Sequence, residues 1–322
     1  MNVLASGSAD VHFVHPDEFR GWVRDRKSRE VAQKLMTARD AVAAFVPDGA
    51  YVAYDFSSLT RGPQAVVREI IRQRKKRLWT CAEFTLAESS LLAGAGCIAR
   101  IDVGFLGYGD YISRKVAEGQ VAVYEWTNGT LAARILAGAR GIPFLPVRSL
   151  LATDGLRYSG AKVVQDPFTG DPVCLVPALN PDVALIHAHQ ADATGNTRIY
   201  GTTLFAFEAA MASRRVIVSA EEIIDPLEFR KDPQRTTLPH FLVDAVVHAP
   251  FGAYPGGVPG RYELDVEHIN RINEIETDEA MRDYLEEMVY SVADHDEFLE
   301  KRVGWKRLTA LAARATIREG FV

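Results

Sequence analysis

The chain of 322 residues holds only three cysteines, Cys81, Cys97 and Cys174. Their spacing pairs none of them, so neither a disulfide framework nor a cysteine-based zinc site follows. Cys97 and Cys174 lie in apolar runs, where a free cysteine behaves as a small buried hydrophobe. A basic excess is lacking too: 37 Lys and Arg stand against 42 Asp and Glu, for a formal charge of −5. A net acidic surface argues against nucleic acid and anionic membranes as partners. The run Arg72 to Arg77 is a local exception at the end of a helical pattern. Cations suit the negative helix terminus there, so a solvated helix end is expected, with an anion or partner contact as the alternative. No uninterrupted apolar run approaches the ~18 residues of a membrane span, and the first residues do not form a basic-then-apolar leader. A cytoplasmic protein is therefore expected. Internal repeats and low-complexity tracts are missing as well.

What is present is an ordinary globular composition, 48% hydrophobic and 25% charged, long enough for one large α/β domain or two smaller ones. Residues 1–34 stand apart. They carry the dense charge run Arg20 to Glu30 and little strand pattern, which predicts an amphipathic arm with a helix over Pro16 to Leu35. Such an arm would cover a sheet edge or grip a partner. Residues 35–322 are read as one domain. Strands are predicted at Ala50–Phe56, Leu78–Ala82, Cys97–Phe105, Val121–Glu125, Pro172–Pro177, Val183–His187, Arg215–Ser219 and Val243–Val247, with Pro143–Arg148 extended. Helices are predicted at Thr37–Phe45, Gln64–Arg74, Ala87–Gly94, Tyr111–Glu118, Gly129–Gly141, Phe205–Ala212, Asp278–Tyr290 and Asp294–Val303 and beyond. Val183-Ala-Leu-Ile is apolar without alternation, the mark of a strand covered on both faces. The alternation predicts an α/β fold: an open, mostly parallel sheet flanked by helices, with an N-terminal helical arm.

Ligands in such sheets gather at the carboxyl ends of the strands. Three places there carry polar chemistry. The turn Ser57-Ser58-Leu59-Thr60-Arg61 joins a strand to a helix and offers hydroxyls, a guanidinium and backbone N–H groups, a set that binds carboxylate or phosphate. N-capping by Thr60 beside a solvated Arg61 is the structural alternative. His189 and Gln190 follow the strand at Val183, where they either line a site or tie down the Asp192–Asn196 turn. Glu83, Glu125 and Asn128 end or follow other strands; the two carboxylates are minor catalytic candidates, and Asn128 a hydrogen-bond donor. Glu221 and Glu222 are adjacent on a strand and point to opposite faces, so they cannot share one substrate. The His187-Ala-His189 pair has no third ligand at a fixed spacing, and no metal site is expected.

Several of these runs carry a family resemblance. Asp182-Val-Ala-Leu-Ile-His187-Ala with Gly195-Asn196, the Gly138-Ala-Arg-Gly141-Ile-Pro143 run, and the series Ser219–Ile224, Arg230–Pro233 and Val243–Pro255 follow one another in a familiar order. Over about Leu35 to Leu308 the chain resembles the alpha (A) subunit of family I CoA-transferases, most like the glutaconate type. Two departures stand out. Tyr54-Asp55 replaces a pair of glycines before Phe56, and Cys81–Thr85 replaces a glycine-rich loop.

The resemblance implies ping-pong CoA transfer between an acyl-CoA and a carboxylic acid, through a glutamyl-CoA thioester. It places that glutamate on a short Glu-Ser/Asn-Gly motif of a partner B subunit. The chain has no such motif, Glu125-Trp-Thr-Asn128-Gly129 having two extra residues. Half an enzyme is expected, in an α2β2 or larger assembly, with coenzyme A as substrate or product and no further cofactor. Ser57, Ser58, Thr60, Arg61, Asn128, His189 and Gln190 are its expected substrate contacts. The alternatives are an acyl-CoA C–C hydrolase of the steroid-ring type, an acyl-CoA decarboxylase component, or a non-catalytic CoA binder.

Overall fold

A computed structural model describes residues 2–54, 59–84, 87–106 and 109–315. Its strands are β1 (Val3–Ser6), β2 (Tyr51–Tyr54), β3 (Leu78–Phe84), β4 (Ile98–Phe105), β5 (Ala122–Glu125), β6 (Phe144–Val147), β7 (Lys162–Gln165), β8 (Pro172–Pro177), β9 (Val183–Ala191), β10 (Thr197–Arg198), β11 (Arg215–Ile223) and β12 (Ala245–His248). Its α-helices are α1 (Pro16–Asp25), α2 (Ala38–Phe45), α3 (Gln64–Arg72), α4 (Ala87–Gly94), α5 (Asp110–Ala117), α6 (Asn128–Arg140), α7 (Ala206–Ala212), α8 (Pro226–Lys231), α9 (Val266–Asn273), α10 (Asp278–Leu285), α11 (His295–Phe298) and α12 (Trp305–Arg314).

The central sheet runs β5-β4-β3-β2-β9-β11-β12, every pair parallel, with β10 added antiparallel to β9. The chain fills one side from β2 outwards and the other from β9 outwards. The order therefore reverses between β2 and β9, which makes their carboxyl ends the topological switch point. Both faces are covered. On one, Ile70, Leu92, Ile112 and Met281 from α3, α4, α5 and α10 pack on Val52, Ile101 and Ile217. On the other, Leu131 and Ile135 of α6 and Ala209 of α7 pack on Ala53, Ile186 and Val218. This double cover is why the central strands are almost continuously apolar. Local signals start and stop the helices. Thr37 caps α2 by accepting from the Asp40 N–H, and Thr127 and Thr130 form a reciprocal capping box at α6. Helix α6 ends at Gly141 with φ 66°, a left-handed cap that suits glycine.

The open parallel sheet with flanking helices is as expected; α8, α9 and β10 are additional elements, and other local features differ as well. A second sheet, β1-β7-β8-β6, is antiparallel and packs Cys174 and Val176 against the α6 face. It takes in the segment read as extended at Pro143–Arg148 and the strand expected at Pro172–Pro177. The N-terminal arm also contains a strand, β1, which covers the edge of that sheet by pairing with β7. Finally, the arm's helix stops at Asp25 rather than Leu35. Beyond it Lys27 bonds Asp244 Oδ2 at 3.1 Å and Lys34 bonds the His240 carbonyl at 2.7 Å, both lysines buried. Leu35 then bridges Val246 of β12. Those tertiary contacts outweigh the helical charge pattern. No described helix is long and apolar enough to cross a membrane.

Candidate functional site

Polar side chains collect at the carboxyl ends of the central strands, in two groups on either side of the switch point. The first belongs to β9 and β11. Register pairs His187 with Ser219 and Gln190 with Glu222 across these strands. His187, 1% exposed, meets Ser219 Oγ at 2.8 Å through Nδ1 and Glu221 Oε1 at 2.6 Å through Nε2. Glu221 also accepts from Tyr262 Oη at 2.7 Å and from the Phe251 and Gly252 N–H groups. Burial by itself would raise this carboxyl; the bonds from His187, Tyr262 and Phe251 more than offset it and hold it below the usual glutamate range. Glu222 points the other way, as strand alternation requires. It accepts from Gln190 at 2.9 Å and from Arg261 at 2.9 Å.

His189 and Gln190 belong to the same saturated group. His189 is buried, its Nε2 donates to the Pro259 carbonyl at 2.9 Å and its Nδ1 accepts the Tyr200 N–H at 3.2 Å. That pair of partners fixes the neutral tautomer. Burial lowers its pKa further, and the nearby Arg61 adds to the effect. Gln190 donates to Glu222 and accepts from Tyr200 Oη at 2.6 Å. Arg61, 4% exposed, follows β2 with φ 58°. Its N–H donates to the Gly257 carbonyl, and its Nη2 donates to the Thr202 carbonyl at 2.9 Å. Thr60 bridges Gly257 and does not cap α3, whose N-cap position is Pro63. Ser57 and Ser58 lie outside the described residues.

The second group sits where β3 and β4 end. Glu83 is 5% exposed, and burial alone pushes its acid up to about 7. Its side chain falls on the α6 face, shared with Trp79 and Cys81. One strand over is Gly104. A Cβ there would lie 2.1 Å from Asn128 Oδ1 and 2.9 Å from the Glu83 carbonyl. Bare backbone at 104 thus lets Asn128, the first residue of α6, come in against the strand. Asn128 Oδ1 is buried without a hydrogen-bond partner, an arrangement that costs about 1–3 kcal/mol unless a ligand or water meets it. Glu125 is separate: it ends the edge strand β5 with its side chain exposed.

The structure therefore joins Thr60, Arg61, His189 and Gln190 in one place, joins Glu83 and Asn128 in another, and leaves Glu125 outside both. Sequence reasoning misses Gly104, Tyr200 and Thr202. A lone glycine in a strand is the one signal that could have pointed to close backbone approach at 104. Among the described residues no group of three or more His, Cys, Asp or Glu converges as metal ligands would.

Comparison with known proteins places this site in a family. Residues 35–249 match the family model described as coenzyme A transferase. The chain is 34% identical to the A subunit of 3-oxoadipate CoA-transferase from Pseudomonas knackmussii, over 83% of its own length and 98% of that protein. It is 33% identical to the A subunit of glutaconate CoA-transferase from Acidaminococcus fermentans, over 86% and 94% of the two chains. The crystal structure of the latter enzyme superimposes with a TM-score of 0.82, covering 86% of this chain and 95% of that one. The decarboxylase AibA/AibB matches at TM-score 0.69 and 31% identity, over 79% of this chain and 100% of that one. On these matches, and on the sheet that carries the site, the chain belongs to the coenzyme A transferase family, as a member of its alpha-subunit branch.

Proposed function

We propose that the chain is the alpha half of a two-subunit acyl-CoA:carboxylate CoA-transferase, working with a B subunit in an α2β2 or larger cytoplasmic assembly. The observation that carries this reading is the contrast at the strand ends. Glu221 and Glu222 are consumed by hydrogen bonds, and Glu83 is a buried acid near neutrality, so none of the three is poised as a nucleophile. The family resemblance assigns the glutamate that attacks the thioester to the partner. This chain contributes the wall of the crevice: Thr60, Arg61, His189 and Gln190 on the β9 side, Glu83 and Asn128 on the β3–β4 side. In such a crevice the acyl group is positioned and water is excluded while the covalent glutamyl-CoA forms and is discharged to the acceptor acid.

The test is purification together with the partner chain that binds it, followed by incubation with a panel of acyl-CoAs. CoA should become thioester-linked to a glutamate of the partner, detected by mass spectrometry as the alcohol left at that residue when borohydride reduces the thioester and releases CoA as the thiol, and turnover should require an acceptor such as acetate. Turnover by this chain alone would refute the reading. Thioester or C–C cleavage that ignores added acetate would instead favour the hydrolase or decarboxylase chemistry, for which the match to the decarboxylase AibA/AibB speaks.

A further inference from the structure

The β3–β4 side of the crevice offers an acyl group an unusual reception. Glu83 is 5% exposed, and no described residue gives its carboxyl a hydrogen bond or an ion pair; burial is the sole cause of its raised pKa. Asn128 Oδ1, held against Gly104 close to the Glu83 main-chain carbonyl, is buried and unpartnered. Both groups present oxygen, and neither is cationic. The guanidinium that could have met an acid, Arg61, is itself buried and directed at the Thr202 carbonyl on the β9 side.

A second carboxylate brought into this place would stand beside a buried carboxyl. Two like charges in one desolvated site cannot both ionise. An uncharged carbonyl is received differently: it accepts the hydrogen of the neutral Glu83 acid, while the Asn128 amide can turn its N–H₂ or its oxygen towards the same group. We propose that Glu83 is a specificity-determining residue, which contacts the acyl group of the substrate and selects an uncharged chain bearing a hydrogen-bond acceptor, such as a 3-oxoacyl group, over one ending in a second carboxylate. The inference rests on the CoA-transferase reading above. It separates this chain from the two relatives whose names carry dicarboxylic acids.

The test compares acetoacetyl-CoA with succinyl-CoA and glutaryl-CoA, using the complex of this chain with its partner at pH 6, where the Glu83 acid is mostly protonated and the substrates' free carboxylates are ionised. Wild type should favour acetoacetyl-CoA by roughly 100-fold in kcat/KM, the size expected for a buried charge conflict of one or two hydrogen bonds. Glu83→Gln keeps the shape and a donor but loses the ionisable group. It should narrow the ratio to roughly tenfold or less by raising the dicarboxylyl rates, with folding checked by thermal denaturation. A wild-type preference for the dicarboxylyl thioesters, or a ratio unchanged by the substitution, overturns the proposal. If no pair supports transfer, the CoA-transferase reading fails on its own. The selectivity is then read from the dissociation constants of the same three thioesters by calorimetry, where an identical ratio in wild type and Glu83→Gln overturns it.

Discussion

The polar groups that end β9 and β11 and those that end β3 and β4 occupy equivalent positions in one sheet, yet their surroundings differ. His187, His189, Gln190, Glu221 and Glu222 have their hydrogen-bonding capacity met by Ser219, Tyr200, Pro259, Tyr262 and Arg261. Asn128 Oδ1 is buried with its capacity unmet, and the Glu83 carboxyl has no hydrogen-bond partner among the described residues. A saturated network fixes a backbone; an unsaturated one stores a cost that a ligand can relieve. The first group therefore holds the 249–262 segment against the sheet, and the second is where chemistry can be added.

Removing Glu221 is the strongest way to break this contrast. Glu221→Ala strands His187, Tyr262 Oη and two backbone N–H groups inside the protein. It should cost about 3–5 kcal/mol, as for other buried charged networks that lose one partner, measured by urea denaturation. A loss under about 1 kcal/mol would mean that the network is not holding the loop.

Glu83→Gln should have the opposite sign. The unfolded acid ionises near 4.5 and the folded one near about 7, so folding loses stability as pH rises between those values and stays lower above them. At ~1.4 kcal/mol per pH unit the loss approaches roughly 3 kcal/mol. Thermal melts should show the variant about 2–3 kcal/mol more stable than wild type at pH 8.5, and equal to it at pH 4. Parallel pH profiles for the two proteins would mean that the carboxyl is solvated or paired.

Arg61→Ala removes the Nη2 bond to Thr202 that ties the turn after β2 to the segment before α7. A loss of about 1–2 kcal/mol is expected from a charged donor withdrawn from a carbonyl. If kcat/KM also falls by roughly 30-fold or more with assembly intact, the guanidinium reaches the substrate as well. The smallest stability effect belongs to Asn128→Ala, under about 1 kcal/mol, because the lost oxygen has no partner to strand. Its kcat/KM should nonetheless fall roughly tenfold or more if Asn128 touches the acyl group; an unchanged rate would make it a packing residue.

Much of the main sheet is legible in the sequence because its signals are local: apolar runs such as Val183–Ile186, the Thr37 cap, and the Gly141-Ile-Pro143 stop. The antiparallel sheet is not. Strand β7 is only Lys162–Gln165, and its neighbour β1 lies more than 150 positions earlier, so no local pattern announces the pair. The site divides in the same way. Position at a strand end marks Glu83, His189 and Gln190 as candidates. Which of them is saturated depends on Pro259, Tyr200 and Glu222, residues brought close only by the fold. The opposite facing of Glu221 and Glu222 follows from strand alternation and is visible from the start.

The attachment of the arm has a consequence for the order in which the protein can assemble. Lys27 finds its carboxylate partner 217 positions later, at Asp244. A ribosome working at ~5–20 residues per second needs roughly 10–40 s to deliver that partner. During this interval Lys27 has emerged without the carboxylate it binds in the folded protein. Closing such long loops late is slow for parallel sheets in general. The dense charge of residues 20–30 suits a segment that stays hydrated until Asp244 and the last strand of the sheet are made.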